Sequence, residues 1–184
     1  MPTRAMAVAF GPISWAAVIG GVFIALIVHI LLNMLGAGVG AASVDLREQS
    51  DQAVATLSWG AFAWWSISGI IAAFFGGWAA GGFASTSATA EGGVHGFLSW
   101  AVTSVLIVTF GALAAGGAAA AVISPLTTAT AQLQGATDEA QTAFATFSLA
   151  SFVALVIGAA AAVLGGRWAA QYSGAPASSR RAHA

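Results

Sequence analysis

The 184-residue chain has no cysteine, no lysine and only eleven charged side chains, 6% of the total. A soluble domain carries about 25% charged residues. So few charges cannot cover the surface of a water-soluble globule, which excludes a soluble enzyme. A hydrophobic share of 59% equally excludes a disordered chain. The absence of cysteine fits either side of a membrane and decides nothing. An integral membrane protein of one domain, residues 1–184, remains.

The positions of the charges carry more than their number. They leave charge-free stretches at 5–44, 52–90, 92–137 and 140–166. Each is long enough for one helix of about 20 apolar residues, the length that crosses about 30 Å of hydrocarbon. The predicted fold is therefore an all-α, four-transmembrane-helix bundle, with helices at roughly 12–42, 54–84, 94–123 and 142–172 and a tail at 173–184. Barrel strands would alternate apolar and polar residues, and these stretches do not. The first apolar run is too long for a signal-peptide core and is read as a retained helix.

Four spans put both termini on one side. That side holds Arg4, Arg167, Arg180 and Arg181, against Arg47 among Asp45, Glu48, Asp51, Asp138 and Glu139 on the other. The positive-inside rule places the termini in the cytoplasm. Trp15, Trp78, Trp100 and Trp168 fall at expected cytoplasmic helix ends, and Trp59 near the opposite end of the second helix. Tryptophan favours such interfaces because its ring is apolar and its N–H is not.

The two halves resemble each other. Ala55-Thr56-Leu57-Ser58 reappears as Ala145-Thr146-Phe147-Ser148, and Gly76-Gly77-Trp78-Ala79-Ala80 as Gly166-Arg167-Trp168-Ala169-Ala170, both at an offset of 90. Ile13-Ser14-Trp15-Ala16 corresponds to Leu98-Ser99-Trp100-Ala101 at an offset of 85. Two repeated helical hairpins, related by an axis along the membrane normal, are expected.

Small residues recur at spacing four, which stacks them on one helix face. The second helix carries Ser68, Ala72, Gly76 and Ala80, and beside them Gly69, Ala73, Gly77 and Gly81. The fourth carries Gly158, Ala162, Gly166 and Ala170. The first has Gly36 and Gly40, and the third Ala112, Gly116 and Ala120. Small faces let helix backbones approach closely where lipid supplies no hydrophobic drive. One reading is packing within the bundle. The other is an interface with a second copy or a larger complex, because two adjacent rows exceed what one neighbour requires.

Chemistry-bearing residues are few. His29 is the one titratable residue deep in a span, with Asn33 one turn on, and such a residue is a functional candidate by default. It is read as a structural hydrogen-bonding group, a proton relay, or a ligand for haem or bacteriochlorophyll. Ala25-Leu26-Ile27-Val28-His29 resembles the Ala-x-x-x-His of bacteriochlorophyll-binding light-harvesting helices. A haem shared with His95 is disfavoured by a depth difference of about 24 Å. Glu91 reads as a favourable acid at the start of the third helix, with His95 one turn on. Arg167 can reach lipid phosphates or Glu91, and Arg180 and Arg181 suit weak anionic-lipid contact. Asp45, Glu48 and Asp51 lack the pattern of a calcium loop. Thr137, Asp138 and Glu139 read as the cap and first turn of the fourth helix, and Pro125 as the end of the third. No phosphate loop, catalytic triad, zinc spacing or nucleic-acid patch is present.

Ile13-Ser14-Trp15-Ala16-Ala17, the glycine-rich stretch leading to Val44-Asp45, Trp64-Trp65, Phe75-Gly76-Gly77-Trp78, and His95-Gly96 before Ser99-Trp100-Ala101 resemble a family of uncharacterised bacterial four-helix membrane proteins often labelled PhnA-like. The resemblance covers residues 11–170. The family pattern often has Ala-Gly-Arg after the Gly-Gly of the second helix, where this chain has Ala80-Gly81-Gly82. The resemblance implies the four-helix fold and a place in a bacterial inner membrane, and supplies no catalytic residue.

The expectation is a non-enzymatic accessory or structural subunit that assembles through Gly/Ala faces with itself or a larger membrane complex. The alternatives are an oligomeric channel or transporter for a small neutral solute, and a pigment or haem carrier through His29.

Overall fold

A computed structural model describes residues 13–43, 51–84, 86, 88–116 and 137–173. They form four helices: α1 (Trp15–Ser43), α2 (Asp51–Phe83), α3 (Thr89–Gly116) and α4 (Asp138–Ser173). No strand occurs among the described residues. Each helix contains a span long and apolar enough to cross a membrane. Large apolar side chains such as Phe23, Leu31, Phe110, Phe152 and Leu164 are exposed. Exposed apolar faces on every helix suit lipid as solvent. Asp45, Arg47, Glu48, Pro125, Arg4, Arg180, Arg181 and the tail beyond Ser173 lie outside the described residues, as do the surroundings of Gly116 and the side chain of Asp51.

α3 starts five residues before its predicted start. The charge at Glu91 marks the first turn of the helix rather than its boundary. The turn is fastened locally. The Glu91 carboxylate accepts from the Thr86 hydroxyl at 2.6 Å, and the Ala88 N–H donates to the same Thr86 oxygen at 3.2 Å. An acid there also meets the positive end of the helix dipole. At α4, the Thr137 carbonyl accepts the first helical bond, from Gln141 at 3.0 Å, as expected of a cap.

α1 and α4 occupy opposite flanks, and each packs on both α2 and α3. α2 also packs on α3. The hairpins α1–α2 and α3–α4 are thus equivalent in their pairing. The symmetry is broken across the middle, where α2 meets α3 closely and α1 and α4 have no comparable contact.

Glycines close the half of the bundle that holds the start of α1 and the α2–α3 connection. A Cβ on Gly77 would strike the backbone of Ala162, and one on Gly81 the backbone of Gly166. Gly92 and Gly96 of α3 meet the same α4 segment, and Gly76 meets Gly21 and Ala25 of α1. The two rows of α2 therefore serve two neighbours inside the chain, Gly76 toward α1 and Gly77 with Gly81 toward α4. That accounts for the double row without a second copy. Ala80, Ala162 and Ala170 are fully buried in this seam. Gly36 makes room for the indole of Trp64, whose N–H donates to the Leu32 carbonyl at 2.9 Å. Gly38, Gly40 and Gly60 meet no atom within 4 Å among the described residues.

Candidate intramembrane site

His29 lies fourteen residues into α1, about 21 Å along a helix of about 43 Å. It is 9% exposed and faces the bundle interior. Its Nδ1 has no hydrogen-bond partner. The edge of the imidazole meets Trp65 at 6.0 Å between centroids and 82° between planes. Asn33 does not join the ring. Its side-chain amide donates to the His29 carbonyl at 2.8 Å, so it satisfies the helix's own backbone.

Beside His29 the helices part. Beyond the glycine seam α2 carries Trp64 and Trp65 where it had Gly76 and Gly77, and side chains of that size hold neighbouring backbones apart. A cavity of about 400 Å³ results, with walls from all four helices. Its lining includes Ala25 and His29 of α1, Ser66 and Gly69 of α2, Ser99 and Thr103 of α3, and Gly158 of α4. The rim includes Trp65, Val108 and Leu155, which are exposed on the outer surface of the helices. The opening therefore faces the level of the spans.

Among the described residues, the buried side-chain polar atoms without a partner are Nδ1 of His29, Oγ of Ser66 and Oγ of Ser99. All three residues line this one cavity. Ser99 has no exposed surface at all. Thr103 beside it donates to the Ser99 carbonyl at 2.8 Å and is satisfied. An unpaired buried polar group costs about 1–3 kcal/mol. Ser99→Ala is accordingly expected to stabilise ligand-free protein by about 1 kcal/mol, measured by thermal unfolding in detergent. A loss of stability would show that the hydroxyl already has a partner.

Trp100 departs from its sequence-based placement. It sits eleven residues into α3, lines the cavity, and its indole occupies the space left by Gly158. Trp15, Trp78 and Trp168 are exposed near helix ends on the seam side, and Trp59 is exposed toward the other end. Trp168 packs against Phe74 at 5.8 Å between centroids. The stem of Arg167 crosses Gly93 of α3.

His95 is not a partner for His29. It is buried at the seam end. Its Nδ1 lies 2.8 Å from the Glu91 carbonyl, which only accepts, so Nδ1 carries the proton. Nε2 is then free to accept the Ser14 N–H at 3.0 Å. Ser14 in turn caps α1, its hydroxyl accepting from Ala17 at 3.4 Å. The neutral imidazole thus joins the first turn of α3 to the start of α1. The separation of 81 residues hid this partnership from sequence reasoning. Ser66 and Ser99 also escaped it, since a lone hydroxyl in a span is ordinary. The available signal was that hydroxyls and a histidine recur at mid-span on three helices.

No group of three or more His, Cys, Asp or Glu able to hold a metal occurs among the described residues. Comparison of the chain with known protein families, curated proteins and solved structures finds no match.

Proposed function

We propose that this chain is a non-enzymatic multi-pass protein of a bacterial inner membrane, with cytoplasmic termini, that holds a small neutral, largely apolar molecule inside its bundle. One mid-span cavity walled by all four helices, whose lining includes three residues that each hold an unpaired buried polar atom, supports this reading. The walls are otherwise mostly apolar, and apolar cavities tend to stay dry. A molecule that is mostly apolar with a few hydrogen-bonding atoms answers both features. Carrier or transporter activity for such a solute follows from the same site. Among the described residues no charged side chain lines the cavity, which speaks against an ion path.

The accessory-subunit reading stands second and rests on Gly38, Gly40 and Gly60, the glycines that face open space among the described residues. Small faces of this kind suit contact with another membrane helix.

The decisive experiment isolates the protein with its native lipid and identifies small molecules by mass spectrometry after organic extraction. Gly69→Leu fills the cavity, because a Cβ there has only the His29 ring nearby, at 3.8 Å. Wild type is expected to yield one molecule in stoichiometric amount, and the folded Gly69→Leu variant to lose it. Equal recovery from both, or nothing above the lipid background in wild type, would overturn the reading.

A further inference from the structure

A second opening lies on the outside of the bundle, on the seam side. Leu164, Arg167, Trp168 and Gln171 of α4 border a groove of about 580 Å³ together with Phe74 of α2. Spacings of three, four and seven put the α4 residues on one helix face, and all four are exposed. Phe74 lies 5.8 Å from the Trp168 ring, centroid to centroid, and Tyr172 lies 6.2 Å from the same ring. The groove is polar at one end and apolar at the other. α4 stops at Ser173. At about 1.5 Å per residue, Gln171 lies about 3 Å before that end, Arg167 about 9 Å and Leu164 about 14 Å. Phe74 likewise precedes the end of α2 by nine residues.

Arg167 is the only arginine or lysine among the described residues, and it forms no ion pair or hydrogen bond with them. Its stem is held against Gly93 of α3. It stands before the last turn of α4, so the helix dipole, which acts within that turn, does not account for it. The inference rests on the reading of the chain as a multi-pass membrane protein, and not on the cavity. In that reading the seam end, with Trp15, Trp78 and Trp168 exposed near it, meets the headgroup layer. A cation without a carboxylate beside it there attracts an anion. The apolar depth of the groove selects the source. A free phosphate uses the outer end alone, whereas a phospholipid uses both ends. The lining contains no Asp or Glu, so the ammonium of a zwitterionic headgroup finds no counter-charge. A headgroup of net negative charge leaves nothing unpaired.

We propose that this groove binds one anionic phospholipid, with the phosphate at Arg167 and an acyl chain along Leu164 and Phe74. Gln171 adds an amide that gives or takes a hydrogen bond at the headgroup.

The test places full-length protein in nanodiscs of phosphatidylcholine and phosphatidylglycerol with identical acyl chains. Lipids that stay bound on release from the disc are counted by native mass spectrometry. Wild type is expected to retain one phosphatidylglycerol, favoured about fivefold over phosphatidylcholine, the effect of one basic side chain at the membrane surface. Arg167→Gln should abolish the preference and Arg167→Lys keep most of it. Leu164→Trp fills the apolar end without altering the charge and should lose the bound lipid. Both side chains are exposed, so these variants are expected to unfold at the wild-type temperature. Arg180→Gln combined with Arg181→Gln removes the charge of the tail and should leave the preference unchanged. A preference that follows Arg180 and Arg181 instead of Arg167, or equal retention of the two lipids by wild type, would overturn the proposal. Displacement of the lipid by glycerol 3-phosphate would show a site for soluble phosphate esters and overturn the assignment to lipid. Failure of the chain to enter the nanodisc would overturn the membrane reading itself, whereas entry without a lipid preference overturns the site alone.

Discussion

Gly166→Val is expected to destroy the packed bundle. Gly166 stands where α2, α3 and α4 converge. Its Cβ would enter the backbone of Gly92 and approach the carbonyl of Gly77 at 3.2 Å. Backbone atoms cannot turn aside as a flexible side chain can. Relief requires moving α4 away from two helices at once, which opens the contacts of Gly81, Gly92 and Ala162 as well. Overpacking a core costs about 1–3 kcal/mol when side chains can yield. Here the cost is expected to exceed about 3 kcal/mol, enough to leave little folded protein at ordinary temperature. Unfolding in detergent monitored by tryptophan fluorescence provides the measurement. Gly40→Ala is the matched control, since nothing described lies within 4 Å of its Cβ position. It is expected to be neutral, or stabilising by up to about 1 kcal/mol through helix propensity. A Gly166→Val protein as stable as wild type would show that α4 does not pack in this register.

His95→Ala should have the second largest effect and a more local one. The imidazole accepts the Ser14 N–H, which the helix cannot satisfy internally, and its removal leaves that donor part-buried without an acceptor. A loss of about 1–2 kcal/mol is expected, combining a helix cap with an unpaired group. The location is the sharper criterion. Amide hydrogen exchange should accelerate at Ser14 through Val18, at the start of α1, while the seam around Ala162 keeps its protection. Uniform acceleration through all four helices would indicate general destabilisation and refute the specific role. His95→Gln, whose side-chain oxygen can also accept, should recover part of the protection if the Ser14 contact carries the effect.

The sequence reveals the spans because charge is confined to their ends, and Thr137 marks the start of α4 as expected. It also exposes the glycine faces, because spacing four is a property of the helix itself. Which neighbour each face meets is a tertiary fact. Gly76 and Gly77 are adjacent in the chain yet serve α1 and α4 respectively. Trp100 was misplaced for a physical reason. An indole is suited both to a membrane interface and to a cavity wall, and only its depth in α3 distinguishes them. That depth depended on whether Glu91 lies before the helix or in its first turn. The cavity was beyond local reading. Ser66 and Ser99 are unremarkable singly, and they draw notice only through an opening that exists where α2 parts from its neighbours. Of the candidate site, His29 alone was visible in advance, as a titratable group too deep in a span to be hydrated.

For the proposed carrier, the glycine seam also fixes how an occupant would arrive. The backbones touch on that side, so the described residues close the bundle between the cavity and the end that holds Ser14. The rim at Trp65, Val108 and Leu155 opens sideways among acyl chains. A visiting molecule would thus be drawn from the two-dimensional reservoir of the bilayer, where an apolar solute is already enriched by its own partitioning. Occupancy is governed by molecules per lipid rather than molecules per litre. A pocket filled in this way would remain occupied with only modest intrinsic affinity, and would release its contents back to the same plane of lipid.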